Sequence, residues 1–266
     1  MKSFPFHIVN AFGVGPQSGN PAGVCILDEW LSTKELQGMA QQLNLPETAF
    51  LIPAKNQTWS IRWFTVKQEI NLCGHATLAA AHCLFEHGYQ ESNQHLSFRS
   101  KSGLLESKRH KDGTIEIFLP SISYTPGILS TNLVEGLGAY PEGVWTGDNY
   151  LCLFDSSDNL KSLYPDFATL LSLRGGQGVI ATAVDDSGEY DFVSRYFAPR
   201  VGINEDHATG SAHCMLVPFW ARKLGKSKLF AQQASLRGGQ FWCEDLNEKV
   251  SLRGLADLFL TGELTF

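Results

Sequence analysis

The sequence predicts an α+β protein of two similar halves, with mainly antiparallel sheet and one central helix in each. Three observations predict it. A strand–loop–helix unit occurs twice, each copy leads into an apolar helix, and short segments elsewhere alternate as strands do.

The first copy runs Trp59-Ser60-Ile61-Arg62-Trp63-Phe64-Thr65-Val66, then a polar loop, then Cys73-Gly74-His75-Ala76. The second runs Asp191-Phe192-Val193-Ser194-Arg195-Tyr196-Phe197-Ala198-Pro199, then a slightly longer loop, then Thr209-Gly210-Ser211-Ala212. Upstream, Phe50-Leu51-Ile52 precedes the first strand as Val179-Ile180-Ala181 precedes the second. Turn-formers lie between, at Lys55-Asn56 and Asp185-Asp186-Ser187-Gly188, so both places read as hairpins. The match weakens further upstream, where Gly19-Asn20-Pro21-Ala22-Gly23-Val24-Cys25-Ile26 faces Gly147-Asp148-Asn149-Tyr150-Leu151-Cys152-Leu153.

Ala76, Ala79, Ala80, Cys83 and Leu84 stand at helical spacing with Gly88 as a stop, and the second helix runs from Ser211 to about Leu224 before Gly225. Segments 114–118 and 249–252 read as strands. The chain divides between residues 121 and 122, giving halves 1–121 and 122–266, with a last strand near 257–266 expected to pair back onto the first half.

A chain of 266 residues with 43% hydrophobic and 18% charged residues has the composition of a globular protein with a sizeable core. Its net charge of -6 and scattered basic residues, with one short run at Lys108-Arg109-His110-Lys111, argue against nucleic acid and polyphosphate partners. A small anionic substrate would have to be met locally. The amino terminus is too short and mixed for a signal peptide, and no stretch has the roughly 18 uninterrupted apolar residues of a membrane span. A cytoplasmic protein without membrane contact is expected, and its six cysteines, which show no paired short spacing, are expected to be free thiols.

Gly74 and Gly210 each stand just before a helix, where free N–H groups and the macrodipole favour an anion. Taken singly, each is also ordinary helix punctuation. The duplication tips the balance, since two such helix starts facing each other form a cage for a carboxylate. Glu47 lies in the apolar run Leu45-Pro46-Glu47-Thr48-Ala49-Phe50-Leu51, a setting that suits a group which both takes and returns a proton. The bland alternative is a solvated edge carboxylate. The second half has Gln177-Gly178 near the equivalent place. Asp206, just ahead of Thr209-Gly210-Ser211, reads either as a group that orients His75 or a substrate, or as a helix cap, and Ser211 offers a hydroxyl. Cys73, His75, His82 and Cys83 invite a zinc reading, but their spacing fits no structural-zinc pattern, so no metal is expected. Nucleotide and serine-hydrolase motifs are missing.

Together these residues resemble the phenazine-biosynthesis isomerase family, the PhzF-like proteins. The resemblance is carried by Gly19-Asn20-Pro21-Ala22-Gly23-Val24, Glu47-Thr48-Ala49-Phe50, Arg62-Trp63-Phe64-Thr65, Cys73-Gly74-His75-Ala76-Thr77, Arg195-Tyr196-Phe197-Ala198-Pro199, Glu205-Asp206 with Thr209-Gly210-Ser211-Ala212, and Arg253-Gly254-Leu255-Ala256. It implies a diaminopimelate epimerase-like fold of two pseudo-symmetric halves, each a sheet wrapped around a central helix, in a homodimer without cofactor. By motif position it implies Glu47 as general acid/base and His75, Asp206 and Ser211 as its proton-handling and substrate-orienting partners. Asn20, Gly74, Ala76, Thr209, Gly210 and Ala212 are the implied substrate-binding positions. The implied reaction is an isomerisation in which one carboxylate moves a proton within the substrate.

Three positions depart from the family pattern. Pro46 stands for Ser, Val66 for Pro, and His207 for Pro beside Asp206, and the last sets the phenazine substrate itself in question. Two rivals stay open. One is a racemase or epimerase acting through opposed cysteines, for which Cys73 has no partner in the second motif, and the other is a non-catalytic binding protein.

Overall fold

The computed structural model describes residues 2–55, 58–89 and 95–266. Asn56 of the expected first turn lies outside them. Contacts divide the chain into two units, Met1–Leu119 with Ser251–Phe266, and Pro120–Val250.

The first unit contains β1 (Ser3–Gly13), β2 (Asn20–Ile26), α1 (Thr33–Leu43), β3 (Glu47–Pro53), β4 (Thr58–Thr65), β5 (Glu69–Ile70), α2 (Gly74–Glu86), β6 (His95–Ser100), β7 (Gly103–Arg109) and β8 (Ile115–Pro120). The second contains β9 (Thr125–Pro126), α3 (Thr131–Leu137), β10 (Gly143–Thr146), β11 (Tyr150–Leu153), α4 (Ser157–Lys161), α5 (Phe167–Leu171), β12 (Val179–Val184), β13 (Phe192–Ala198), β14 (Ile203–Asp206), α6 (Gly210–Leu224), β15 (Lys228–Gln233) and β16 (Gly239–Asp245). The last strand, β17 (Lys249–Thr265), pairs antiparallel with β1 from Ser3↔Thr265 to Gly13↔Leu255.

The pairings repeat unit by unit. β1–β2, β3–β4, β4–β5 and β6–β7 are antiparallel while β2–β3 and β4–β6 are parallel. In the same places β10–β11, β12–β13, β13–β14 and β15–β16 are antiparallel while β11–β12 and β13–β15 are parallel.

Each unit packs one long apolar helix against its sheet. In α2 the residues Gly74 to Ala81 are all buried, so its low amphipathicity is that of a core helix. α6 is buried from Ala212 to Val217 and ends at Gly225, whose φ of 67° is the left-handed C-cap that glycine adopts without strain. Pro218 inside α6 has no N–H for the Cys214 carbonyl, and Ile122 N supplies that bond at 2.9 Å. Shorter helices pack elsewhere. α1 begins with a capping box of Ser32 and Glu35 and buries Leu36, Met39 and Ala40 against Phe50 and Phe64. Leu133 and Leu137 of α3, Leu160 of α4 and Leu170 of α5 join Val179, Ala181 and Phe197 in the core of the second unit. All six cysteines are free and buried.

Candidate active site

In the first unit Glu47 opens β3, held between Ala22 of β2 and Thr65 of β4, and is 8% exposed. Cys73 is the N-cap of α2 in extended conformation and makes no side-chain cap, which leaves the first N–H groups of the helix without that partner. His75 follows in the first turn, and its Nε2 lies 3.0 Å from Oε2 of Glu47. That contact is an ion pair at 3.0 Å, and Glu47 Oε2 has no other hydrogen-bond partner among the described residues. On the ring's other side, Asn20 Nδ2 stands 3.2 Å from His75 Nδ1. Asn20 is placed by a tight loop in which Ser18 Oγ accepts from the N–H groups of Val14 and Gly15. Gly19 has a φ of 74°, and a Cβ there would sit 2.5 Å from the Ala11 carbonyl oxygen, so only glycine fits.

Burial disfavours a charged His75, but the neighbouring Cys73 and Glu47 more than offset it, and its pKa is raised well above the ordinary histidine value. Burial pushes the Cys73 thiol up. An amide nitrogen only donates, so the contact with Asn20 Nδ2 is a hydrogen bond only in the tautomer whose proton sits on Nε2. A charged ring donates from both nitrogens and calls for the amide oxygen in place of Nδ2.

Ligand-type atoms of Glu47, Cys73 and His75 all lie within 4.8 Å of one another, a donor set that suits zinc. Their directions do not. Cys73 Sγ is 3.6 Å from Nδ1 and 3.9 Å from Nε2, so it flanks the ring and does not face the nitrogen that meets Glu47. One ion in bonding reach of all three would require the ring to turn. His82 and Cys83 are not part of this cluster.

In the second unit α6 starts at Gly210 behind the N-cap Thr209, whose side chain also makes no cap bond. Asp206 is not the cap. It ends β14, is buried, and its Oδ2 accepts from Thr209 Oγ1 at 2.5 Å. Gln233 closes the loop, accepting from Thr209 N at 2.7 Å and donating to the Asp206 carbonyl at 2.8 Å and to Thr209 Oγ1 at 3.0 Å. His207 presents its carbonyl to Ser235 Oγ at 2.6 Å. Ala212 is buried, Ser211 is partly exposed, and His213 bonds the Thr209 carbonyl through Nδ1 at 2.8 Å while its ring stacks on Phe241. Burial lowers the His213 pKa to about 4.

The sequence candidates thus fall into two groups. Glu47 and His75 touch, with Asn20 beside the ring and Gly74 and Ala76 in the same helix turn, while Asp206 and Thr209 touch at the start of α6 beside Gly210, Ser211 and Ala212. Cys73, weighed only as a metal ligand or racemase thiol, joins the first group. Gln233 joins the second, and no spacing signal pointed to a residue so far along the chain.

A family model described as phenazine biosynthesis-like protein matches residues 9–262. The chain belongs to that family. Among its phenazine biosynthesis-like relatives is an uncharacterized isomerase of Pseudomonas aeruginosa, 46% identical over 97% of both chains. A crystal structure of a PhzF-family phenazine biosynthesis protein from Enterococcus faecalis is 37% identical and superposes with a TM-score of 0.93 over 100% of both chains. A predicted epimerase from Pseudomonas aeruginosa, 21% identical with a TM-score of 0.77 over 99% of both chains, shares the fold. The fold is therefore the epimerase-like one of the PhzF family.

Within this family frame the strand registers align the repeats residue by residue. Arg62 faces Phe50 and Arg195 faces Ala181, so Glu47 and Gly178 are equivalent. Glu69 faces Phe64 and Glu205 faces Phe197, which makes Ile70 equivalent to Asp206, Cys73 to Thr209 and His75 to Ser211.

Proposed function

We propose that this protein is a cofactor-independent isomerase that moves a proton within a small carboxylate-bearing substrate, with Glu47 as the single acid/base. The observation that carries the reading is the buried Oε2 of Glu47, which meets Nε2 of a histidine held protonated at 3.0 Å and has no other hydrogen-bond partner among the described residues. A carboxylate oxygen in that state is free to accept a proton from carbon, as the C–H electron pair moves into the substrate's conjugated system, and to return it to another carbon of the same molecule. His75 balances the charge at each step. Asp206 and Ser211 are assigned to substrate contacts, as are Asn20, Thr209 and the N–H groups at Gly74, Ala76, Gly210 and Ala212. Relatives named as isomerases support the reaction class.

The racemase alternative needs a second thiol, and the repeat position of Cys73 holds Thr209. We assign the working form to a cytoplasmic homodimer.

The test is a metabolite pull-down with mass spectrometry followed by incubation of the captured carboxylate in heavy water. Deuterium entering a carbon of that ligand supports an isomerase. A bound ligand that never exchanges reduces the protein to a binding module, and exchange abolished by thiol alkylation with protection by ligand favours the racemase.

A further inference from the structure

Arg62 and Arg195 make the same ion pair in the two units. Arg62 donates from Nε and Nη2 to the two oxygens of Glu69, each at 2.8 Å, and Arg195 does so to Glu205 at 2.7 and 2.8 Å. Each guanidinium also lies over the phenylalanine two residues on, 5.1 Å from the Phe64 ring and 4.9 Å from that of Phe197. Each reaches a helix as well. Arg62 Nη2 donates to Thr33 Oγ1 at the start of α1 at 2.9 Å, and Arg195 Nη1 donates to the Leu163 carbonyl just past α4 at 2.7 Å. Glu69 stands five residues before Gly74 and Glu205 five before Gly210, although the loops ahead of the two glutamates differ in length.

Between those fixed points the units share little. Ile70, Asn71, Leu72 and Cys73 in one correspond to Asp206, His207, Ala208 and Thr209 in the other. Substrate chemistry cannot explain why the pair is the same where the chemical groups differ. Charge alone does not explain it either: the Arg62 hydrogen bond holds the Glu69 carboxyl down to about 2 and Lys101 Nζ adds a second cation at 2.8 Å, but neither needs a fork. What a bidentate fork supplies is a fixed direction and distance.

We propose that Arg62 with Glu69, and Arg195 with Glu205, are positioning residues. Each pair ties the loop ahead of a central helix to a neighbouring helix and so fixes where the central helix begins, and in the first unit that sets His75 against Glu47. This deepens the reading of Glu47 and His75 as the proton-handling pair, but its test needs no substrate.

The probe is the protein itself, labelled with ¹⁵N-histidine and followed by NMR as pH is varied. Arg62→Lys keeps the charge and removes the fork. It is expected to fold, to lower the His75 titration midpoint by about one pH unit as the contact with Glu47 lengthens, and to leave His213 unchanged. Arg195→Lys should do the reverse, shifting the His213 ring signals and sparing His75. A folded Arg62→Lys protein with the wild-type His75 titration overturns the proposal. Glu69→Gln, which keeps the acceptor oxygen without the charge, is the milder variant, and failure of both first-unit variants to fold also overturns it by showing a merely structural pair. Failure of the proton-transfer reading has a separate sign, a His75 shift in Arg62→Lys without any deuterium exchange by the wild type.

Discussion

The starts of α2 and α6 share a frame and differ in what they hold. Both follow an extended N-cap without a side-chain cap, and in both the fourth helical residue bonds back to the N-cap carbonyl, Thr77 Oγ1 to Cys73 at 2.5 Å and His213 Nδ1 to Thr209 at 2.8 Å. At α2 the polar groups include a buried carboxylate oxygen whose partner among the described residues is a histidine held protonated. At α6 Asp206, Thr209 and Gln233 bond one another. A duplicated scaffold thus carries a histidine–carboxylate pair on one copy and a hydrogen-bonded Asp–Thr–Gln network on the other. The difference is built into the backbone at Gly178. A Cβ there would lie 2.6 Å from the Phe197 carbonyl oxygen and 2.8 Å from the Tyr196 ring, so the second copy has no room for a counterpart of Glu47.

Moving the carboxylate across should therefore break the second unit. Gly178→Glu is expected to cost about 4 kcal/mol or more, from overpacking and an unpaired buried charge, read as loss of the cooperative melt. A stable variant would mean that the two copies are interchangeable here.

Acid should strike the same unit through His213. Its folded pKa of about 4 lies below the unfolded value of 6.5, so the unfolded chain binds the proton first. The stability tied to the neutral ring, about 3 kcal/mol, is present above pH 6.5 and is lost as pH falls toward 4. Urea unfolding across that range should show the slope in the wild type and a weaker one in His213→Phe.

The smallest effect is expected at the corresponding bond of the first unit. Thr77→Val removes one hydroxyl from a carbonyl that still accepts from Thr77 N at 3.1 Å, so melting should report a loss of about 1 kcal/mol. A loss as large as that of removing His213 would show that the two bonds carry equal weight.

Much of this frame was legible in the sequence, because Arg-aromatic-Phe, the glycine helix starts and the apolar helices are local patterns. The parallel pairings β2–β3 and β4–β6 were not, since alternation reads the same whichever way a neighbouring strand runs. The extra residues ahead of Glu205 hid its equivalence to Glu69, and with it the pairing of Ile70 with Asp206. Glu47 and His75 could be named as candidates from their motifs, but not their contact, because it joins a strand to a helix across the fold. Spacing argued against Cys73 as a zinc ligand but could not show which side chain its sulfur meets. Only the structure sets that sulfur side-on to the His75 ring.

The central claim is that the proton carrier belongs to the first copy, and it is tested most directly by heavy-water exchange on the captured carboxylate with Glu47→Gln and Asp206→Asn side by side. The account predicts that Glu47→Gln melts like the wild type, still binds the ligand and loses exchange by about a hundredfold or more, while Asp206→Asn weakens binding and keeps exchange on the ligand that remains bound. Undiminished exchange in folded Glu47→Gln, with exchange abolished in Asp206→Asn, would contradict it and move the carrier to the second copy.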